Sequence, residues 1–330
     1  MKSQSAASVL DLPPYAGLDV VGLGYCSWDY LGTLDEVPAF DAPTVSLDDF
    51  AVSGGGPVST ALVTLARLGA RSGYLGAVGD DDAGLNLQRA FEREGIDISR
   101  LRVRAGTRSP VCICLVQART GKRVILCYRG TSGEVQLEAA DRPYITAARF
   151  LHLDGHHMSA AIAAAQWMHQ AGGTVVLDAN RPRPRLDELL AWVDVLITNA
   201  HFLTAYTAEP TLEQAARKLL SRRGQRLPRE AGARLVVSTL GEKGCLCVTA
   251  GKETRVPGFQ VPVVDTTGAG DAFHGAFIYG MLQGWPIKRT ATFANAVAAM
   301  NCTALGGRAG LPRFTEVEAF LRSTGRRPVS

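Results

Sequence analysis

The chain has 330 residues, of which 46% are hydrophobic and 20% charged. That is ample for a packed core, in one large α/β domain or two of roughly 150 residues, and it excludes a disordered, collagenous or disulfide-scaffold protein. The net charge of +4 is dispersed apart from Arg181, Arg183 and Arg185 and a second cluster at Arg222, Arg223, Arg226 and Arg229. Neither cluster is interleaved with stacking aromatics, so both read as solvated surface and nucleic acid is not an expected partner.

In chain order, residues 1–16 are polar and form an expected loosely ordered extension, without the apolar stretch of a secretory signal. No apolar run reaches the ~18 residues needed to span a bilayer. The expectation is a cytoplasmic protein that does not meet the membrane. Residues 18–24 read as a buried strand stopped by glycine. The ragged stretch 30–50, with Pro38 and Pro43, reads as edge strands or loops. After Gly54-Gly55-Gly56, Pro57 opens a helix that Gly69 closes. A strand follows at 72–79 and a helix at 83–94, with Asp80, Asp81 and Asp82 as cap and first-turn charges rather than a metal cluster. Residues 110–117 and 123–128 form an expected hairpin. Strands at 150–154, 174–178, 193–199 and 234–241, with an Ala-rich helix at 159–171, predict an α/β fold with a doubly wound, mostly parallel sheet flanked by helices. The seven Cys fall singly or as Cys-x-Cys (Cys112/Cys114, Cys245/Cys247). Alternate strand residues share a face, so these read as half-buried strand positions with free thiols.

Chemistry concentrates in Asp265-Thr266-Thr267-Gly268-Ala269-Gly270-Asp271. A strand end runs through two glycines into a helix, whose N-terminal N–H groups and dipole can hold a developing phosphate. Asp271 then falls in the first turn, where the dipole favours its ionised form, the state a general base needs. A carboxylate beside an anion hole suits phosphoryl transfer to an alcohol. A cap role would explain the Asp but not the glycines before it.

These residues resemble the C-terminal signature of the PfkB/ribokinase-type carbohydrate kinases. Gly54-Gly55-Gly56-Pro57 with Leu65-Ala66-Arg67-Leu68-Gly69 resembles the N-terminal one, and Gly79-Asp80, Glu94-Gly95-Ile96-Asp97 and Ser238-Thr239-Leu240-Gly241 also match. The likeness runs from about Leu18 to Pro312. It implies one ribokinase-like kinase domain over 17–330, with a small β-lid from about 30–50 and 108–130. It further implies that Asp271 is the general base and that Gly268, Ala269 and Gly270 form the anion hole. Asp29, Gly54, Gly55 and Ser59 match substrate positions, Ser59 standing where the family often has Asn. Thr239, Gly241 and Gly244 match the nucleotide loop, and Asn295 a helix bordering adenine. Asp265, Thr267 and Gly306 approximate a monovalent-cation loop. The expected cofactors are ATP and Mg²⁺, with K⁺ as an addition. Asn199-Ala200-His201-Phe202 lacks the acid of the family's Asn-x-x-Glu, which leaves Mg²⁺ to nucleotide and water. A homodimer through lid strands is implied as well.

From the residues themselves, Asp154 at a strand's carboxyl end is expected to contact the sugar, with His156 beside it. Arg129 is placed to read an anionic substituent, and Asp178 and Asn180 to order the phosphate side. Phe273-His274-Gly275-Ala276 and the stretch 302–312 resemble a ketohexokinase- and sulfofructose-kinase-like branch, which favours a keto-sugar or sugar-acid derivative. Two alternatives stand beside this reading. One is a nucleoside kinase, for which Trp28, Tyr30 or Phe40 would have to stack on the base. The other is a non-catalytic sugar or nucleotide sensor on the same fold.

Overall fold

A computed structural model of the chain describes residues 17–221 and 232–325; the 1–16 extension and the Arg222, Arg223, Arg226 and Arg229 cluster lie outside the described residues. From the first strand, β1 (Val20–Leu23), the chain passes into β2 (Ser27–Leu34), β3 (Asp49–Gly55) and helix α1 (Pro57–Arg67). Then come β4 (Ser72–Gly79), α2 (Asp82–Arg93), β5 (Asp97–Arg104), β6 (Val111–Gln117) and β7 (Arg123–Tyr128). The middle holds α3 (Asp141–Thr146), β8 (Phe150–Leu153), α4 (Met158–Gln170), β9 (Thr174–Ala179), α5 (Leu186–Leu190) and β10 (Val195–Asn199). After α6 (Ala200–Thr207) and α7 (Leu212–Ser221) follow β11 (Leu235–Thr239), β12 (Cys245–Val248) and β13 (Glu253–Val256). Helices α8 (Ala269–Leu282), α9 (Ile287–Asn301) and α10 (Phe314–Ser323) complete the described chain.

Nine strands form one sheet in the order β13-β12-β11-β10-β9-β8-β1-β4-β5. It is parallel from β11 to β5, and β12 and β13 add antiparallel at one end. Its central strands are uninterrupted apolar runs because helices cover both faces. On one face α1, α8 and α9 pack through Leu62, Phe277 and Phe293; on the other, α4, α6 and α7 pack through Ala164, Phe202 and Leu219. The direction of winding reverses between β1 and β8, so the crevice at the strands' carboxyl ends there is where a ligand fits.

Over that crevice stands a second sheet, in the order β3-β2-β6-β7. It holds the two segments that break the strand–helix rhythm, with bounds that differ from expectation: β2 starts at Ser27, and β3 runs to Gly55. Side chains alternate on it. Cys112 and Cys114 are buried on the inner face while Ile113 between them is exposed. Cys245 and Cys247 are buried too, and β12 departs from the half-buried expectation only in that Leu246 and Val248 on its other face are buried as well. The cause is that α9 packs on one face of β12 and α7 on the other; β13, which the sequence did not announce, pairs along its edge. Asp81 caps α2 by accepting from Gly84 N, as a cap would. All seven cysteines are free thiols.

Candidate active site

Two cavities meet at the tip of α8. The first, about 400 Å³, lies under the second sheet and is lined by Tyr25, Asp29, Arg129, His156, Asp178 and Asp271 among others. The second, about 450 Å³, is lined by Thr239, Gly241, Gly244, Phe259 and Asn295. Both are lined by Thr239 and Gly270, so they form one cleft with α8's first turn at the join.

Gly268 caps α8 at φ +73, and a Cβ there would run into the Gly307 backbone, so only glycine fits. Gly270 is the opposite case: a Cβ there meets nothing within 4 Å. The protein itself does not require this glycine; the open space lies at the shared wall of the cleft. The N–H of Ala269 donates to Thr266 O at 3.3 Å, which removes it from the expected anion hole. Among the described residues the N–H groups of Gly270 and Asp271 have no backbone acceptor and remain to receive an anion.

Asp271 is enclosed by protein yet keeps part of its surface open to the cleft. Burial pushes its carboxyl up to about 6, with Arg123 and Arg308 pulling it down and Asp154 and Asp29 pushing it up. The dipole argument predicted a more acidic group; loss of solvent outweighs it. The residue is still mostly ionised at neutral pH, and a base near 6 is well matched to proton abstraction. Asp29 is 7% exposed and is also pushed up to about 6 by burial, against Ser27 and Arg308. Ser27 Oγ donates to its Oδ1 at 2.6 Å.

Asp154 does not line the cleft, contrary to expectation. It is 4% exposed, and its oxygens accept from Tyr25 N at 2.8 Å and His156 N at 2.9 Å. His156 takes the place expected for it on the wall, its Nδ1 at 3.0 Å from Asp154 Oδ1. Arg183 Nη2, which can only donate, approaches His156 Nε2 at 3.0 Å, so Nδ1 carries the hydrogen towards Asp154. Burial would raise Asp154, but the His156 ring and these N–H groups hold it well below the usual carboxylate range. Asp154 is thus a positioning residue for His156 and the Tyr25 backbone.

Gly54 and Gly55 do not line the cleft either. A Cβ on Gly54 would strike the Arg308 guanidinium and one on Gly55 the Asp29 carboxylate. Ser59 Oγ is buried, donates to Gly55 O and accepts from Arg308 Nη2 at 2.7 Å. Arg308, 6% exposed, also reaches Thr60 Oγ1 and Gly55 O. It is the buried cation beneath Asp29 that sequence reasoning missed, and only the run of glycines that makes room for it was a signal.

Asp265, fully buried, accepts from Thr267 N and Thr267 Oγ1 at 2.8 Å and from Gly306 N at 2.9 Å. The three residues expected to hold a monovalent cation do meet. Yet three donors already occupy a carboxylate with about four acceptor positions, so Asp265 knots the loop and has little left for a cation. Asn295 Nδ2 donates to Val256 O at 3.2 Å and Pro257 O at 3.3 Å beside the second cavity. Arg123, on β7, lines the cleft and donates through Nη1 to Thr266 Oγ1 at 2.6 Å, tying the hairpin to the loop before α8.

Arg181 lines the cleft and Arg183 braces His156, which corrects the reading of that cluster as solvated surface. Arg185 fits it, exposed and paired with Glu188 at 2.8 Å, and Arg181 is exposed too although it borders the cleft. Trp28, Tyr30 and Phe40 do not line the cleft; the aromatic wall of the first cavity is Tyr25 stacked on His156 at 4.8 Å. Asp178 and Asn180 do line it, and so does His274, whose Nε2 is 3.7 Å from Asp178 Oδ1. Among the described residues no helix is long and apolar enough to cross a membrane, and no group of three or more His, Cys, Asp or Glu could hold a metal ion.

The pfkB family carbohydrate kinase model matches residues 18–313. An ATP-dependent ribose-1-phosphate kinase from Halopiger xanaduensis is 31% identical over 304 residues, spanning 92% of this chain and 97% of that one. The ribokinase of Haemophilus influenzae is 28% identical over 292 residues, spanning 86% and 93%. The crystal structure of Thermotoga maritima ribokinase superposes with a TM-score of 0.78 at 26% identity, covering 93% of this chain and all of that one. These relatives do not single out the ketohexokinase-like branch. Signature, sheet order and whole-length likeness agree that the chain belongs to the pfkB family of carbohydrate kinases.

Proposed function

We propose that the protein transfers the γ-phosphoryl group of ATP to a hydroxyl of a small sugar, with Asp271 as general base and the tip of α8 as anion hole. The observation that carries this is the join of the two cavities at Gly270, beside the Asp271 carboxylate. Nucleotide lies along Thr239, Gly241, Gly244 and Asn295, and sugar lies under the second sheet against Asp29. Asp271 takes the hydroxyl proton, the oxygen attacks the γ-phosphorus, and ADP leaves. The N–H groups of Gly270 and Asp271 receive the charge that builds on the transferring oxygens. Arg123 steadies the ionised base.

For Mg²⁺, Asp178 fits: burial and the charge of Asp271 push its carboxyl well up, a strain that a divalent cation on the triphosphate would relieve. Bound there, Mg²⁺ would neutralise phosphate charge, held by Asp178 together with water.

The acceptor is a sugar with an anionic group, which favours the sugar-acid derivative over a neutral keto-sugar. Arg129 and Arg181 both face the sugar-side cavity, and neither has a hydrogen bond or ion pair among the described residues. The Halopiger relative is named for a sugar phosphate. That Trp28, Tyr30 and Phe40 lie away from the cleft weighs against a nucleoside stacked on them. A coupled ADP-release screen of neutral sugars, sugar acids, sugar phosphates and nucleosides tests the reading. Release with an anionic sugar, lost in Asp271→Asn, is expected. Ligand-induced thermal shifts without ADP release would favour a sensor instead.

A further inference from the structure

Cys112 and Cys127 are directly opposed across β6 and β7, with their Sγ atoms 2.8 Å apart. The backbone hydrogen bonds identify the kind of pair. Gln117 N donates to Lys122 O, so residue 117 is hydrogen-bonded towards β7, and odd positions of β6 follow it. Even positions turn the other way: Pro110 O accepts from Trp28 N, and Ala118 N donates to Leu34 O, both on β2. Cys112 and Cys127 therefore form a non-hydrogen-bonded pair, where opposed Cα atoms are about 4.5 Å apart, inside the range a disulfide spans. Closing the sulfurs to bonding distance needs a movement of roughly 0.8 Å.

Both side chains line the sugar-side cavity. Cys127 is exposed and Cys112 buried. Cys112 also stands directly opposite Asp29 of β2, and it is among the groups that hold the Asp29 carboxyl down against burial. We propose that Cys112 and Cys127 are a reversible thiol–disulfide pair, oxidised by a low-molecular-weight disulfide, whose closure removes the Cys112 thiol hydrogen from beside Asp29 and weakens sugar binding. The Cys127 thiolate attacks one sulfur of the small disulfide and expels a thiolate. Cys112 then attacks Cys127 Sγ, and a second small thiolate leaves. One protein S–S bond forms, the small disulfide is reduced to two thiols, and the two cysteine protons end on them.

The test uses the full chain in glutathione buffers of increasing oxidised fraction, with alkylation of the remaining thiols and peptide mass mapping. The expected result is a cross-linked peptide pair containing Cys112 and Cys127, two hydrogens lighter than its reduced parts, which dithiothreitol cleaves and Cys127→Ser does not form. Alkylation of both cysteines at the most oxidising ratio overturns the proposal. The mass readout is independent of the kinase reading. The second arm rests on that reading: KM for the sugar is expected to rise roughly three- to tenfold on oxidation, the effect of one weakened hydrogen bond. KM for ATP stays put. A complete cross-link with unchanged sugar KM overturns the coupling to Asp29.

Discussion

As the proposed base, Asp271 would work in an acid range that its surroundings set. With the carboxyl at about 6, kcat/KM is expected to fall as pH drops through 6, along a limb steeper than one proton if Asp29, also near 6, must be ionised as well. Asp29→Asn should flatten that limb to a single proton, which a pH–rate profile reads directly. Asp271→Asn should lower kcat by about 10²- to 10⁴-fold and leave nucleotide affinity nearly intact. The same burial has a thermodynamic face. Because the native value lies above the ordinary 3.8, the folded protein binds more protons than the unfolded chain between about pH 4 and 6. Stability is lost as pH rises through that window, by at most about 3 kcal/mol for this group. Asp271→Asn should therefore be more stable than the parent at pH 7.5, with the advantage gone near pH 4. Denaturant titrations at the two pH values check it. A variant that is inactive yet more stable is what a strained catalytic carboxylate produces, and a helix cap would give the reverse.

At the scale of the element, α8 separates two glycines that look alike in sequence. Gly268→Ala places a side chain at φ +73 against the Gly307 backbone and should cost about 1–3 kcal/mol of stability. Gly270→Ala meets open space, and alanine favours a helix interior by up to ~1 kcal/mol. It should fold at least as well as the parent while kcat drops tenfold or more, since its methyl occupies the phosphoryl position. Thermal melts and steady-state rates on the pair distinguish a phosphate cradle from a tight turn. Much of this element was legible beforehand, because glycine punctuation and a small-residue run mark a helix start whatever surrounds it. The parallel strands were legible for a similar reason: β-branched runs between helices have few other uses. β5 was not, since Asp97–Arg104 at the sheet's edge carries no apolar run, and β13 fails in the same way. The site residues misread were those whose role depends on a distant partner. Nothing local to Asp154 says that Tyr25 N and His156 consume its oxygens, and nothing local to Arg181 and Arg183 says that the end of β9 turns them into a cleft. Arg308 was hidden because its partners, Gly55, Ser59 and Thr60, lie some 250 positions away.

At the scale of the molecule, the large sheet presents strand ends and the second sheet covers them, so the inner face of the cover walls the cleft. Its outer face does not reach the cleft. Tyr30, Phe50, Val52, Ile113, Leu126 and Tyr128 are all exposed there; Tyr30 stands opposite Val52 and Ile113, and Ile113 opposite Leu126, which makes the patch continuous across four strands. An apolar face of that extent on a twisted sheet is costly to leave in water, and patches of this kind mark association sites. We propose that two copies pair through it, which would also shield the sheet's exposed edges. The alternation along β7 lets the idea be tested without disturbing catalysis: Arg123, Ile125 and Cys127 line the cleft, whereas Val124, Leu126 and Tyr128 point the other way. Sedimentation equilibrium at micromolar concentration should give a species of about twice the chain's 35.1 kDa. Ile113→Lys with Leu126→Lys should bring it to a single chain with helix and strand content unchanged. A parent chain that sediments as a monomer would leave the outer face without this partner.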